Sequence, residues 1–326
     1  MAVPNEKYLR LPEDRILAYS ENGNPSSSTF VIFFHGVFGV GNASDPNPIL
    51  VQKDVHFVAP TLLGWGNSSI RKPSTPYFIQ LAADITALIE HLHPDDPNLK
   101  LYIAGGSFGT VPAQMLYGAS FDIFPPGRRL VGCMVLAPFS PFLWHTEYTK
   151  TMTTPNYIMV GPPSQYIPFR LLQHLAVIMM QGKLKTIEGA ESFIRKTLFD
   201  NMDEEERLTF HTWAEERGKT TGQVQREMSE NTVRSVRNTW GGFLEVSDVI
   251  HGDWGFRPDH LDEEHTKRPI LVVASKGDTM APDAMAKWLA STYKNVRYES
   301  VSGGHLGALY HLDRMWSILL EDMSNK

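Results

Sequence analysis

A serine at position 107 stands at the centre of a G-x-S-x-G sequence, residues 105–109, which follows an apolar run and precedes a helical pattern. In a sharp strand-to-helix turn such a serine is raised above the end of a sheet, and Gly105 and Gly109 leave room for the crowded backbone. The adjoining helix N-terminus favours developing negative charge on the serine oxygen. Ser107 is therefore a candidate nucleophile.

A serine hydroxyl attacks only when a base removes its proton, and two later loops supply a base and an acid. Asp278 follows the apolar run 270–274, and His305 follows the run 296–300. Because loops after parallel strands meet at one edge of a sheet, we expect both side chains beside Ser107. The order Ser, Asp, His predicts Ser107 as nucleophile, His305 as general base and Asp278 as the acid that orients the imidazole.

A fourth segment supplies candidate donors for a tetrahedral oxyanion. His35 and Gly36 follow the apolar run 30–34, so the loop after them lies at the same edge of the sheet. The backbone N–H groups of Val37 and Phe108 are our predicted oxyanion hole, with Phe38 as the alternative to Val37. We expect the His35 side chain to brace this loop rather than to transfer protons.

The elements that must position these residues alternate between short apolar runs and helical patterns, which is typical of an α/β sheet. Almost continuously apolar runs indicate inner parallel strands covered on both faces. Strands are predicted at residues 30–34, 56–59, 101–104, 131–136, 270–274 and 296–300, with an edge hairpin at 8–11 and 16–20. Helices are predicted at residues 79–91, 111–120, 282–293 and 306–320.

This alternation stops after the strand ending at residue 136 and resumes near residue 269. The segment between contains helical patterns at residues 165–181, 188–199, 203–217 and 222–239. We interpret it as a helical cap, which predicts a core in two parts with the divisions 1–137, 138–266 and 267–326. Within the cap we expect an apolar set to form cap core rather than substrate wall: Leu171, Leu175, Ile178 and Met179.

Composition excludes several classes of protein. A formal net charge of −6 over 326 residues argues against nucleic acid as a partner, and the single Cys133 allows neither an intramolecular disulfide nor a cysteine metal cluster. No run reaches the ~18 apolar residues of a membrane span, and residues 1–10 lack the apolar core of a secretory signal. We expect a cytoplasmic enzyme acting on a small-molecule substrate, with no cofactor, metal or membrane partner. The oligomeric state stays open.

These segments together resemble the cap-bearing α/β-hydrolase superfamily, with an esterase- or epoxide-hydrolase-like architecture. The resemblance implies an eight-stranded, mostly parallel sheet with an inserted helical cap, and a triad of Ser107, Asp278 and His305. Thr61 stands where many relatives hold aspartate. At the strand-to-helix turn of residues 105–109, which we call the elbow, serine stands where epoxide hydrolases and haloalkane dehalogenases hold aspartate. The resemblance rests on residues 16–24, 35–39, 64–68, 105–109, 253–256, 277–278 and 304–305.

The resulting functional hypothesis is a serine hydrolase that cleaves an ester, thioester or lactone of a small to medium apolar substrate through an acyl-enzyme. Two other reactions fit the same triad: hydrolysis of a C–C bond, and aminopeptidase cleavage after an N-terminal proline. A third alternative is a ligand receptor of this fold with little turnover. All three alternatives are compatible with the predicted triad.

Overall fold

The computed structural model describes residues 5–94 and 96–322. Within them, eight strands form one sheet in the order β1-β2-β4-β3-β5-β6-β7-β8. β1 pairs antiparallel with β2, β2 pairs antiparallel with β4, and all later pairs are parallel. The strands are β1 Glu6–Leu11, β2 Arg15–Gly23, β3 Thr29–Phe34, β4 His56–Pro60, β5 Lys100–Gly106, β6 Leu130–Leu136, β7 Ile270–Ser275 and β8 Val296–Val301.

Helices cover both faces of the sheet and fill the segment between β6 and β7. They are α1 Pro48–Gln52, α2 Tyr77–Leu92, α3 Thr110–Gly118, α4 Thr154–Met159, α5 Pro162–Tyr166, α6 Leu171–Met180, α7 Ile187–Ile194, α8 Glu204–Glu216, α9 Thr221–Val236, α10 Gly241–His251, α11 Glu263–Thr266, α12 Asp283–Thr292 and α13 Leu312–Ser317. No helix in residues 5–94 and 96–322 is both long and apolar enough to cross a membrane.

The central strands are apolar on both faces because each face contacts its own helical layer. On β5, Leu101 and Ile103 join a core that includes α2, α3 and α12, whereas Tyr102 and Ala104 join a second core with α1 and α13. Side chains alternate across a strand, so a doubly covered strand must be apolar at every position. This arrangement confirms the expectation of buried parallel strands.

The predicted strands and the edge hairpin are all confirmed, with ends that coincide or differ by at most three residues. The predicted helix 306–320 is wrong as a single element. It consists of a 3-10 turn at Gly307–His311, the short helix α13 and a π-turn at Ile318–Asp322.

The predicted helix 165–181 is also wrong, because the chain breaks between α5 and α6. Pro168 disfavours helical geometry at the residue before it, and Ile167 is extended with φ −72° and ψ 118°. Phe169 and Arg170 then adopt left-handed φ angles of 58° and 52° before α6 begins.

The expected cap core on α6 is wrong as well. The α6 side chains of Gln173 and Ala176 are buried, whereas Leu171, Leu175, Ile178 and Met179 are exposed on the surface of the chain. An almost wholly apolar helix has no polar stripe to indicate which face turns inward. Residues 138–266 contain helices without strands, and their description as a separate cap stays a prediction.

Candidate active site

Ser107 lies on the sharp turn between β5 and α3, with a left-handed φ of 54°. The glycines of this turn are required by close backbone contacts. A Cβ on Gly105 would lie 2.1 Å from the carbonyl oxygen of Gly109, and a Cβ on Gly109 would lie 2.1 Å from the carbonyl oxygen of Phe34. Strain at Ser107 is thus held by packing of the elbow against β3, as expected at a functional site.

Ser107, His305 and Asp278 form a hydrogen-bonded chain at the carboxyl edge of the sheet. Ser107 Oγ lies 2.9 Å from His305 Nε2, and His305 Nδ1 lies 2.8 Å from Asp278 Oδ2. These distances fit a tautomer in which the serine hydroxyl donates to Nε2 and the Nδ1–H donates to the carboxylate. Three loops far apart in sequence therefore meet as the chain pattern predicts.

The Asp278 carboxylate is held in place on both oxygens. Its side chain is fully buried, and Oδ1 accepts hydrogen bonds from the backbone N–H groups of Met280 at 2.8 Å and Ala281 at 3.0 Å. The other oxygen is then directed at His305. An acid fixed in this way can orient an imidazole without moving itself.

His35 braces the loop after β3, which is the role expected for it. His35 Nε2 accepts the backbone N–H of Leu62 at 3.0 Å, so Nδ1 carries the proton and donates to the Gly36 carbonyl oxygen at 2.8 Å. Burial lowers the pKa of His35 to about 4, so the ring is neutral at pH 7. Thr61 is also buried, and its hydroxyl accepts the backbone N–H of Gly41 at 2.9 Å in the same loop.

The loop braced by His35 presents free donors next to the serine. The backbone N–H groups of Val37 and Phe38 have no acceptor within the described part of the chain. Phe38 has a left-handed φ of 60°, and its ring stacks on Phe243 with centroids 5.2 Å apart. A Cβ on Gly36 would lie 3.2 Å from the Cβ of Ser107, which shows how closely this loop approaches that serine.

Comparison with protein families decides what kind of fold holds this site. Residues 31–316 match the sequence model of a family described as the alpha/beta hydrolase family.

The chain belongs to the α/β-hydrolase family.

It is accordingly an enzyme of the hydrolase class, and the sheet has the eight-stranded, mostly parallel form expected from the sequence resemblance.

Solved structures with the same fold include several hydrolases. A hydrolase from Pseudomonas aeruginosa PA01 is 14% identical with a TM-score of 0.61, and all of both chains is covered. The enol-lactonase from Burkholderia xenovorans LB400 is 15% identical with a TM-score of 0.59, covering 98% of this chain and 100% of the other. An esterase from Exiguobacterium antarcticum is 12% identical with a TM-score of 0.57, covering 98% and 99%. No curated protein matches.

Ser107 of this α/β-hydrolase lies in the wall of an apolar cavity of about 550 Å³. Its walls combine residues 35–42 of the loop after β3, which we call the oxyanion loop, with side chains of α7 and α9, including Phe193 and Met228. Polar groups reach it from Asn231 and Thr232 on α9, and the described wall contains no Asp, Glu, Lys or Arg. The cavity therefore suits an uncharged, mainly apolar group.

Glu206 of α8 is a residue near the hydrolase site that sequence reasoning missed. The helical pattern predicted at residues 203–217 begins with an acidic run, and the Asp203 carboxylate caps α8 by accepting the backbone N–H of Glu206 at 2.8 Å. The Glu206 side chain, however, turns inward and packs against the two residues before His305: a Cβ on Gly303 would lie 3.1 Å from its Oε1, and a Cβ on Gly304 would lie 3.4 Å from its Oε2. Burial raises the pKa of Glu206. The sequence gives one indication of this contact: two glycines, Gly303 and Gly304, precede His305, and a loop of glycines needs packing from another element to hold its position.

Proposed function

We propose that this hydrolase cleaves an ester, thioester or lactone of a small to medium apolar substrate through a covalent acyl-enzyme. The observation that carries the proposal is the hydrogen-bonded chain from Ser107 through His305 to Asp278. A serine hydroxyl, a base within hydrogen-bond reach of it and a fixed acid are the parts that acyl transfer requires.

In the proposed reaction, His305 Nε2 takes the proton of Ser107 as Oγ attacks the substrate carbonyl carbon. The carbonyl oxygen becomes an oxyanion held by the backbone N–H groups of Phe108 and of Val37 or Phe38. The imidazolium then gives its proton to the leaving oxygen or sulfur, which departs and leaves an acyl-Ser107 ester. Water deprotonated by His305 attacks that ester, the bond between the acyl carbon and Ser107 Oγ breaks, and the imidazolium returns the proton to Oγ as the acid leaves.

Two features support an apolar substrate of moderate size. The cavity beside Ser107 is about 550 Å³, which lies within the usual range for small-molecule sites. Its walls carry no charged side chain in the described part of the chain, so a charged acyl group would be desolvated there without a partner.

Turnover of p-nitrophenyl esters of increasing acyl length tests this function. We expect hydrolysis with an optimum at intermediate length, and a loss of at least about a thousandfold in kcat for Ser107→Ala. Ser291→Ala, which removes an exposed hydroxyl on α12, serves as the matched control and should keep full activity. Turnover that persists in Ser107→Ala contradicts the proposal.

Aminopeptidase cleavage remains a second candidate because of one observation. A cleft of about 570 Å³ on the other side of His305 is lined by Asp203 and Glu206, whose carboxylates are suited to an ammonium group. Release of an arylamine from a prolyl arylamide, abolished by Glu206→Gln while ester turnover remains, favours this alternative. Ester turnover without amide turnover excludes it.

A further inference from the structure

The segment from α4 to α6 exposes an unusual concentration of large apolar side chains. Each has more than a third of its surface exposed, and Phe169 reaches 92% and Tyr166 78%. We call this set the apolar face; its members are Tyr157, Ile158, Met159, Tyr166, Phe169, Leu171, Leu175, Ile178 and Met179. Single exposed apolar residues are ordinary, but a concentration of nine in one short segment marks an interaction surface.

The α6 part of the apolar face lies on the side of the helix opposite to the side that packs against the rest of the protein. α6 contacts α10 with its other side, where Ala176 is buried and the Gln173 side-chain amide donates to the Ser164 carbonyl oxygen at 3.0 Å. Arg170 pairs with Asp248 of α10 at 2.7 Å, which fixes the start of α6. The helix is thus held to the protein while its apolar side points to solvent.

The charge of this segment is opposite to that of the protein. Residues 148–187 contain no Asp or Glu and four Lys or Arg residues, whereas the whole chain has a formal net charge of −6. Lys183 and Lys185 directly follow α6, are exposed, and form no ion pair within the described residues. Exposed apolar side chains beside unpaired lysines are the combination found where helices lie on anionic lipid.

We propose that the apolar face docks on the surface of a bilayer containing anionic phospholipids. The apolar side chains insert at the boundary of head groups and acyl chains, and the two lysines contact lipid phosphates. A second copy of the chain fits the face less well, because a two-fold contact places the same basic segment of each copy against the other. Peripheral docking needs no membrane-spanning helix. The expectation of no membrane partner rests on the lack of a spanning segment, and it therefore does not bear on peripheral docking.

One hydrogen bond connects the segment that carries the apolar face to the loop of Asp278. The Asn156 side-chain amide of α4 donates to the backbone carbonyl oxygen of Thr279, the residue after Asp278. The apolar face and the loop that carries the catalytic acid are therefore joined directly. The inference goes beyond the proposed function and does not depend on it, since Ser107→Ala is expected to dock like the wild type.

Flotation with vesicles tests the proposal on the full chain. We expect the wild type to float with phosphatidylcholine–phosphatidylserine vesicles, to float poorly with phosphatidylcholine alone, and to be released by salt. The variant Phe169→Ser/Ile178→Ser/Met179→Ser should lose flotation. Lys183→Glu/Lys185→Glu should bind at least about tenfold more weakly, since each lysine near an anionic surface contributes a severalfold factor.

Matched controls separate docking from general damage. Leu208→Ser removes an exposed apolar side chain on α8, and Lys100→Glu/Lys294→Glu reverses two exposed lysines at the opposite edge of the sheet. Both should float like the wild type. Failure of the wild type to bind anionic vesicles overturns the proposal. So does a stable dimer that the triple serine variant converts to monomer, because the occupant is then a second copy.

Discussion

At the residue scale, the position of Ser107 depends on glycines that no other residue can replace without moving backbone. Gly109 packs against the end of β3, and its Cβ position lies 2.1 Å from the Phe34 carbonyl oxygen, far inside contact distance. That carbonyl belongs to the strand that leads to His35 and the oxyanion loop. A change at Gly109 therefore disturbs Ser107 and the backbone N–H groups of Val37 and Phe38 together.

We predict that Gly109→Ala lowers the free energy of unfolding by about 4 kcal/mol or more, in the range of severe backbone clashes. Gly182→Ala is the matched control, because nothing lies within 4 Å of its Cβ position and its φ is −67°. Alanine there should be neutral or stabilise by up to about 1 kcal/mol. Urea unfolding of both variants provides the measurement, and equal effects contradict the account of the elbow.

Glu206 is the second residue on which the site depends, through the loop that carries His305. We predict that Glu206→Ala lowers kcat for ester turnover by about tenfold, because the carboxylate packed against Gly303 and Gly304 is lost and the loop that carries His305 is held less firmly. Glu206→Gln keeps an acceptor oxygen and should retain most of the activity.

The control for Glu206 is Glu205→Ala, an exposed residue on the same turn of α8. Its kcat should equal that of the wild type. KM should change little in Glu206→Ala, because the apolar cavity stays intact. An effect on KM alone, with kcat unchanged, identifies Glu206 as a substrate contact instead.

At the element scale, the hairpin β1–β2 is tied to α2 by a buried ion pair. Arg15 of β2 donates from both terminal nitrogens to the two oxygens of Asp84, with an Nη1–Oδ1 distance of 2.7 Å, and the side chains are only 10% and 5% exposed. The Gln80 amide also donates to Asp84 at 3.1 Å. Such a pair adds little net stability but is costly to break on one side.

We predict that Arg15→Met destabilises the protein by about 3–5 kcal/mol, because Asp84 is left buried and unpaired, whereas Arg15→Met/Asp84→Leu recovers most of that loss. Lys267→Met, which removes one partner of an exposed pair with Glu263, is the control and should cost less than about 1 kcal/mol. The midpoints of urea unfolding measure all three. A double variant as unstable as the single one contradicts this reading.

The elements that could be predicted from the sequence are those fixed by local pattern. Buried strands show in continuous apolar runs, and parallel strands bring Ser107, Asp278 and His305 to one edge without any knowledge of their contacts. The contacts that could not be predicted depend on tertiary packing. Glu206 reaches Gly304 from a distant helix, and the apolar pattern of α6 does not indicate that its exposed side faces solvent.

At the scale of the whole molecule, buried neutral histidines make stability depend on pH. Burial is the main cause that lowers the pKa of His35 and His56, each to about 4, and it also lowers the pKa of four other histidines. Within a pair, His56 Nδ1 lies 2.7 Å from His93 Nε2, so protonating both is further disfavoured. The other lowered histidines are His93, His145, His251 and His311.

The sign follows from proton linkage. In the unfolded chain these histidines bind protons near pH 6.5, whereas the native pKa values are lower, so the unfolded state binds more protons below that pH. Stability is therefore complete above pH 6.5 and falls as the pH approaches 4. Each of His35 and His56 should remove about 1 kcal/mol per pH unit in this window. The raised pKa of Glu206 acts in the opposite sense, as a single group.

Urea unfolding at a series of pH values from about 8 to about 4 measures this dependence, because the native and unfolded pKa values of the histidines lie in that range. His56→Phe should flatten the curve, and His260→Ala, on an exposed residue, should leave it unchanged. If the free energy of unfolding stays constant down to about pH 4.5, the buried histidines do not remain neutral in the native state.

The most direct test of the central claim is covalent labelling with a fluorophosphonate, followed by mass spectrometry of the labelled peptide. We predict a single modified residue, Ser107, with no labelling of Ser107→Ala and labelling slowed by at least about a hundredfold in His305→Ala. Asp278→Asn should slow it as well, because the imidazole tautomer is no longer fixed. Labelling at another serine, or labelling that persists in Ser107→Ala, contradicts the assignment of Ser107 as the nucleophile.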